Sequence, residues 1–377
     1  MKVLKAIIAT LVLGVILESP RADAKNLPTT RELILLLAQV NAKDGQFNIN
    51  RGLTRLHSGN FQGAIEDFNQ VLRINPNDAI AYSYRGTARI ALGDSQGAIE
   101  DCNQALRINP NYGLAYDLRG LAHKKLGDSQ GAIEDFNQAL RINPNDAIAY
   151  SYRGSARIDL GDVKGALEDS NQALRINPNI ATAYSNRAGA RASLGDIKGA
   201  IEDSNQALRI DPGDATAYKN RAIARIALRD SQGAIEDFNQ ALRINPGDAI
   251  AYSNRVAARI ALGDFQGAIE DSNQALRINP GDAIAYSNRG FARASSGDFQ
   301  GAIEDYNQSL RINPGDADAY YNRGLARANS GDQHLAIADL QKASDLFKQL
   351  GNTSSYQAVL EKIKQINSAT PQPNHLH

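Results

Sequence analysis

The spacing of the prolines constrains the fold of this 377-residue chain more than any other feature. Eight of its twelve prolines follow one another at intervals of 34 residues. They are Pro76, Pro110, Pro144, Pro178, Pro212, Pro246, Pro280 and Pro314. An alanine recurs nine times with the same period, from Ala64 to Ala336. Such a period indicates an array of small units that pack on their neighbours, and it overrides the two or three globular domains that length alone suggests.

Each unit contains two helical segments separated by turn signals. In residues 249–282, AIAYSNRVAARIALGDFQGAIEDSNQALRINPGD, we expect one helix over 249–262 and a second over about 265–278. Gly263 permits the left-handed conformation that ends a helix, and Asp264 is suited to cap the next one. Because isolated helices of this length are marginal in water, their stability must come from neighbouring helices. The sequence therefore predicts an all-α fold.

These residues resemble the tetratricopeptide repeat (TPR) family, whose period is 34 residues. In residues 249–282, Tyr252, Ala268, Ala275 and Pro280 match the family signature, whereas Val256 and Ser272 do not. The phrase GAIEDFNQALRINP is also similar to long exported tandem-TPR proteins of photosynthetic bacteria. The resemblance implies a right-handed α-solenoid superhelix of about nine helix-turn-helix repeats with capping helices.

The period also sets the expected boundaries. We expect an export signal at 1–24, an N-terminal capping helix at 25–44, a C-terminal capping helix at 351–366 and a disordered tail at 367–377. Nine repeats are expected at 45–78, 79–112, 113–146, 147–180, 181–214, 215–248, 249–282, 283–316 and 317–350. Positions 1 to 34 are counted from the first residue of each repeat.

The N-terminal segment has the features of an export signal. Lys2 and Lys5 precede an apolar run at 6–17, and small residues allow cleavage after Ala24. The run is shorter than the about 18 residues that a membrane span needs, although retention as an anchor is the alternative. We therefore expect an exported chain, in a periplasm, a thylakoid lumen or the medium, without a stable membrane span after signal removal. Since Cys102 is the only cysteine, no internal disulfide can form.

Charge is balanced along the array. The chain has 41 Lys and Arg residues and 41 Asp and Glu residues, so it has no electrostatic footprint for nucleic acid. Arg occupies position 7 in all nine repeats and position 11 in eight, with His123 as the exception, while Asp occupies position 23 in all nine. We expect each Asp to accept hydrogen bonds from a guanidinium group. The predicted structural ion pairs involve Arg187, Arg191 and Asp203; Arg221, Arg225 and Asp237; and Arg255, Arg259 and Asp271. The alternative role for these arginines is a basic stripe that binds an anionic polymer.

No catalytic signature is present in the sequence, which has no nucleophile elbow, metalloprotease motif, phosphate-binding loop or cysteine pair. The glycines and the Glu-Asp pairs recur along the array, as architectural residues do, whereas a catalytic group is normally unique. We expect no enzyme activity, no cofactor and no metal site. His375 and His377 have no other ligands near them in the sequence.

The first helices vary among repeats at positions 2, 5, 6, 9, 12 and 13. In the TPR family this face lines a concave groove that binds extended peptides or a partner helix. Position 6 is asparagine in six repeats: Asn50, Asn186, Asn220, Asn254, Asn288 and Asn322. An amide can hold a peptide backbone whatever its side chains, and the pattern resembles the asparagine ladder in the TPR part of O-linked N-acetylglucosamine transferases. Phe291, Tyr321 and Lys219 are further predicted contacts; a hydrogen bond between helices is the alternative role for the amides.

The sequence thus predicts an exported, non-enzymatic TPR scaffold that binds a protein or peptide partner in its groove. Two alternatives remain open at this point. The chain can be a self-assembling structural repeat protein, or it can be a non-catalytic subunit of an envelope assembly or a polysaccharide machine.

Overall fold

The structure is a computed structural model that describes residues 30–369, and the side chains of residues 44–368. The predicted export signal and residues 370–377 lie outside the described residues. Within residues 30–369 the chain is helical, with no strand. None of the described helices has the length and apolar character needed to cross a bilayer.

The first of two compact units ends at Gly161, and seven of its helices are described. These are α1 (Thr30–His57), α2 (Phe61–Ile74), α3 (Ala79–Ala91), α4 (Ser95–Ile108), α5 (Gly113–Lys125), α6 (Ser129–Ile142) and α7 (Ala147–Asp159). Each helix packs against the next one in the chain. Because α1 is continuous over 28 residues, the predicted N-terminal capping helix and the first helix of the first repeat form a single element.

The second compact unit begins at Asp162, and twelve of its helices are described. These are α8 (Val163–Ile176), α9 (Ala181–Ser193), α10 (Ile197–Ile210), α11 (Ala215–Ala227), α12 (Ser231–Ile244), α13 (Ala249–Ala261), α14 (Phe265–Ile278), α15 (Ala283–Ser295), α16 (Phe299–Ile312), α17 (Ala317–Asn329), α18 (Gln333–Gln349) and α19 (Thr353–Ala369). Consecutive helices again pack on each other, as the α-solenoid interpretation requires. The last helix runs to Ala369, three residues beyond the predicted end of the C-terminal cap at 366.

Capping residues begin and end these helices at regular intervals. At the start of α14, the Asp264 carboxylate accepts a hydrogen bond of 2.9 Å from the Gly267 amide. Just before it, Gly263 has φ 76°, the left-handed conformation expected between the two helices of a repeat. The sixth repeat has Arg229 at this position, with φ 63°, and no other non-glycine residue in the described range has positive φ. This conformation costs an L-residue roughly 1–2 kcal/mol, so the turn at Arg229 is strained.

Positions 8 and 24 fill the core of each repeat as a complementary pair. In the eighth repeat Gly290 lies against Tyr306, and a Cβ added at Gly290 would be 3.1 Å from the ring. The seventh repeat has instead a larger residue at position 8, Val256, and a smaller one at position 24, Ser272. Both are fully buried, and the Ser272 hydroxyl donates to the Ala268 carbonyl at 2.8 Å. The two departures from the family signature therefore compensate each other in volume.

The C-terminal helix covers the apolar face of the last repeat. Val359 and Ile366 of α19 belong to one buried cluster with Leu340, Ala343 and Phe347 of α18. Burial of this face removes from water the surface that a tenth repeat would otherwise cover. This contact is consistent with a capping role for α19, which stays a prediction.

Candidate protein-binding surface

In seven of the repeats two arginines converge on one buried aspartate. In the fifth repeat, Asp203 is 3% exposed and lies 2.7 Å from Nη2 of Arg187 and 2.9 Å from Nη1 of Arg191. Arg187 also donates to Asn171 of the preceding repeat at 3.1 Å, and its guanidinium lies 5.3 Å from the centroid of the Tyr184 ring. The next two repeats have the same arrangement, with Arg221 and Arg225 on Asp237 and Arg255 and Arg259 on Asp271.

The guanidinium groups of these arginines are bonded to other residues of the array. The hydrogen bond from Arg187 to Asp203 raises the pKa of the guanidinium, although burial acts in the opposite direction. Each position-7 arginine in these repeats joins the aspartate of its own repeat to an asparagine of the repeat before. The geometry therefore favours a structural role, the alignment of adjacent repeats, over a basic stripe for an anionic polymer.

Three of the six predicted groove asparagines are engaged within the protein. Asn50, in the first unit, accepts a hydrogen bond of 3.0 Å from Gln46, and Asn186 is only 5% exposed. Asn220 donates from Nδ2 to the Ser185 carbonyl at 2.8 Å, which is the helix-to-helix bond left open as an alternative. Gly189 lies beside this amide, where an added Cβ would be 3.4 Å from the same nitrogen, an ordinary van der Waals contact.

The other three asparagines have no such partner. Asn254, Asn288 and Asn322 are half-buried, and their amides make no hydrogen bond to any described residue. They lie at the same position of α13, α15 and α17, the first helices of three successive repeats. Each amide can therefore offer a donor and an acceptor to a ligand.

Apolar side chains are exposed on the same helix faces. Ile250 and Ile284 are both 68% exposed, Ile223 is 43% exposed and Phe291 is 41% exposed. They occupy positions 2 and 9, which are four residues before and three residues after the asparagine position, so they share its helix face. The amide surface is defined here as Asn254, Asn288 and Asn322 together with Ile223, Ile250, Ile284 and Phe291.

This surface is uncharged over most of its length. In the sixth, seventh and eighth repeats, positions 2, 6 and 9 hold only apolar residues, asparagine and threonine. The helices that carry it, α11, α13, α15 and α17, each contact the next in that order. The surface is therefore suited to a neutral segment, since a charged group placed on it would lose hydration without gaining a partner.

Lys219 and Tyr321 lie beside this surface in different surroundings. The Lys219 ammonium is 2.6 Å from the Asp248 carboxylate. Burial alone would raise the pKa of Asp248, but hydrogen bonds from Lys219 and the backbone of Ala251 lower it overall. Tyr321 lines a small cavity with residues of α18 and α19, so it lies where the capping helix meets the last repeat. Of these two predicted contacts, Lys219 is already paired within the protein.

Two observations in the described residues concern metal binding and thiol reactivity. No group of three His, Cys, Asp or Glu side chains in the described range could hold a metal ion. Cys102 is buried, and this burial raises the pKa of its thiol to about 12. A thiol in this state is a weak nucleophile.

Comparison with known proteins supports the interpretation of the units as tetratricopeptide repeats. Models of the tetratricopeptide repeat match residues 49–113, 118–146, 158–215, 219–283 and 317–350, and a TPR repeat model matches residues 292–331. No curated protein matches the sequence.

Several solved structures are similar to this chain. The APC/C hetero-tetramer Cut9-Hcn1 aligns with a TM-score of 0.61 and 19% identity over 71% of this chain and 52% of that chain, about half of its length. YrrB, a TPR protein with an unusual peptide-binding site, aligns with a TM-score of 0.46 and 24% identity over 52% of this chain and 99% of its own. A tetratricopeptide repeat protein from Parabacteroides merdae aligns with a TM-score of 0.46 and 21% identity over 69% of this chain and 98% of its own. The repeat models and the helical pairs together show that this chain belongs to the tetratricopeptide repeat family.

Proposed function

We propose that this chain is a scaffold that binds an extended segment of another protein along the amide surface. The observation that carries the proposal is the row of three asparagines, Asn254, Asn288 and Asn322, which lack hydrogen-bond partners within the described residues. Each of these amides keeps a donor and an acceptor that a ligand can use, and exposed apolar side chains lie on the same helix faces, which is the combination that favours a bound segment.

The spacing of the amides fits an extended backbone. Packed helices lie about 8–10 Å apart, and a strand rises about 3.3 Å per residue. One amide therefore meets about every third residue of a bound segment. The exposed Ile250, Ile284 and Phe291 lie between or beside these amides, where they can cover apolar side chains of the ligand.

Hydrogen bonds to the backbone give affinity without selecting a sequence. Each amide bond contributes about 0.5–1.5 kcal/mol net, so three contribute between roughly tenfold and a thousandfold in affinity. Selectivity then comes from the apolar contacts and from exclusion of charge. The expected ligand is an extended, uncharged segment with recurrent apolar side chains.

The test uses peptides selected from a random library of unstructured 12-residue sequences displayed on phage. The dissociation constants of the selected peptides are measured for the wild type and for the triple variant Asn254→Ala, Asn288→Ala, Asn322→Ala. We expect at least about a tenfold loss of affinity, with unchanged helicity by circular dichroism.

A matched control replaces three amides on the second helices, Gln240→Ala, Gln274→Ala and Gln308→Ala. These glutamines are also half-buried, and they too make no side-chain hydrogen bond to a described residue. The control should bind like the wild type. Equal affinities for the asparagine variant and the wild type would contradict the proposal.

The location of this binding is a further part of the proposal. The predicted signal at residues 1–24 supports a site of action outside the cytoplasm. Fractionation of cells that produce the chain with a C-terminal tag tests this location. We expect the tagged chain outside the cytoplasm and shorter by the signal, whereas full-length chain confined to the cytoplasm would contradict it.

A further inference from the structure

A side-chain contact joins positions 5 and 34 in several repeats. The aspartate at position 34 caps the first helix of the following repeat, so this contact ties two repeats together. Lys219 donates to Oδ2 of Asp248 at 2.6 Å, and Ser253 donates to Oδ2 of Asp282 at 3.4 Å. Ser185 donates to Oδ2 of Asp214 in the same way. In each pair position 5 supplies the donor and the capping carboxylate accepts.

The third repeat lacks the usual donor. Its position 5 is Asp117, whereas five other repeats have serine there. The position-34 residue is Asp146, whose Oδ1 accepts hydrogen bonds of 3.0 Å from the amides of Ile148 and Ala149 at the start of α7. Oδ1 of Asp117 is buried and has no hydrogen-bond partner among the described residues. A carboxyl group therefore stands where other repeats place a hydroxyl or an ammonium.

The surroundings of Asp117 favour its neutral form. Burial raises its pKa from the ordinary value of 3.8 to about 7, and the charges of Asp146 and Asp135 act in the same direction. Asp146 is the N-cap residue of α7, and Asp135 lies in α6, where it is paired with Arg119 at 2.6 Å. Two cations of α5 itself are paired elsewhere, Arg119 with Asp135 at 2.6 Å and Lys124 with Asp159 at 2.9 Å.

We infer that Asp117 carries a proton in mildly acidic solution and donates it in a hydrogen bond to the Asp146 carboxylate, and that loss of this proton loosens the junction between the third and fourth repeats. The protonated acid takes the place of the serine hydroxyl. The ionised acid sets two carboxylates against each other, with neither able to donate. The first unit is thus built with a junction that responds to pH near neutrality.

The direction of the effect follows from the two states of the carboxyl group. Asp117 binds its proton more tightly in the folded protein than after local opening, when its pKa returns to about 3.8. The stabilisation of the junction by this proton is complete below about pH 3.8, and it is lost as the pH rises to about 7. Between these limits the equilibrium constant for opening increases by up to about tenfold per pH unit.

Hydrogen exchange of the full chain, measured by mass spectrometry, tests this inference. The wild type is compared with Asp117→Ser at pH 5.5 and pH 8.0, after correction for the intrinsic pH dependence of exchange. Relative to the variant, wild-type protection in residues 113–160 should fall by up to about thirtyfold between the two conditions. If Asp117→Ser does not fold, Asp117→Asn provides the same comparison, because its amide can donate at both pH values.

A second variant transfers the feature to another repeat. Ser253→Asp places a carboxyl group opposite Asp282, and protection of residues 249–296 should then acquire the same pH dependence. The inference is overturned if the ratio of wild-type to Asp117→Ser protection is the same at both pH values. It is also overturned if Ser253→Asp shows no dependence on pH.

Discussion

Replacing Gly290 with valine tests whether positions 8 and 24 form a complementary pair. The new Cβ would lie 3.1 Å from two ring atoms of Tyr306 and 3.3 Å from the Ala302 carbonyl oxygen. Tyr306 is only 1% exposed, so its ring has little room to move. Overpacking of a close-packed core costs about 1–3 kcal/mol. We expect Gly290→Val to destabilise its repeat by about 2 kcal/mol, because its modest gain in helix propensity does not offset the clash.

The partner substitution, Tyr306→Ser, removes a large buried ring. Truncation of a buried aromatic residue costs about 3–5 kcal/mol. The double variant Gly290→Val, Tyr306→Ser recreates the pair that the seventh repeat already has in Val256 and Ser272. The valine methyl groups then fill part of the space left by the ring, so the two substitutions should cost about 2 kcal/mol less together than the sum of their separate costs.

The assay is urea unfolding combined with hydrogen exchange of α15 and α16. Local exchange is needed because a repeat array does not unfold in one step. The reciprocal variant, Val256→Gly, serves as a control, since it should open a cavity and destabilise the seventh repeat. Additive effects of Gly290→Val and Tyr306→Ser, within about 0.5 kcal/mol, would refute the reasoning.

Three further predictions concern single residues. Asp203→Ala leaves Arg187 and Arg191 without their buried acceptor and should lower the free energy of unfolding by about 3 kcal/mol. Asp203→Asn should cost less, because it keeps an acceptor oxygen, and equal melting temperatures of the two variants would argue against tight pairing. Arg229→Gly should raise stability by about 1 kcal/mol in urea unfolding, because glycine adopts positive φ without strain, and an unchanged midpoint would contradict that strain. Cys102 should not react with a thiol reagent at pH 8 until the protein unfolds, because burial raises its pKa to about 12; fast labelling of the folded chain would show otherwise.

The helical pairs and their caps could be predicted because the repeats of the chain can be compared with one another. Nine copies of one unit separate the positions that hold the fold from those that vary. The pairing of Arg187 with Asp203 is an example, since the same two residue types recur 16 residues apart in every repeat. The family and the all-helical fold follow from this regularity, and the repeat models and the structure confirm both.

The environments of the asparagines could not be predicted in the same way. Asn220 and Asn254 occupy the same position, but of these two only Asn220 donates to a neighbouring backbone, the Ser185 carbonyl in α9. The hydrogen bond that a repeated residue makes is thus set by its contacts with the adjacent repeat, which its position in the sequence does not reveal. The burial of Asp117 could not be predicted either, because position 5 varies among the repeats and the sequence alone suggests an exposed residue there.

Photo-cross-linking tests the central claim, partner binding at the amide surface, most directly. A benzophenone amino acid replaces Phe291 in one variant and Phe299, which begins the second helix α16, in another. On irradiation with a selected peptide, the variant labelled at residue 291 should form a covalent complex, and the variant labelled at residue 299 should form little. Equal yields, or cross-linking at residue 299 alone, would contradict binding at this surface.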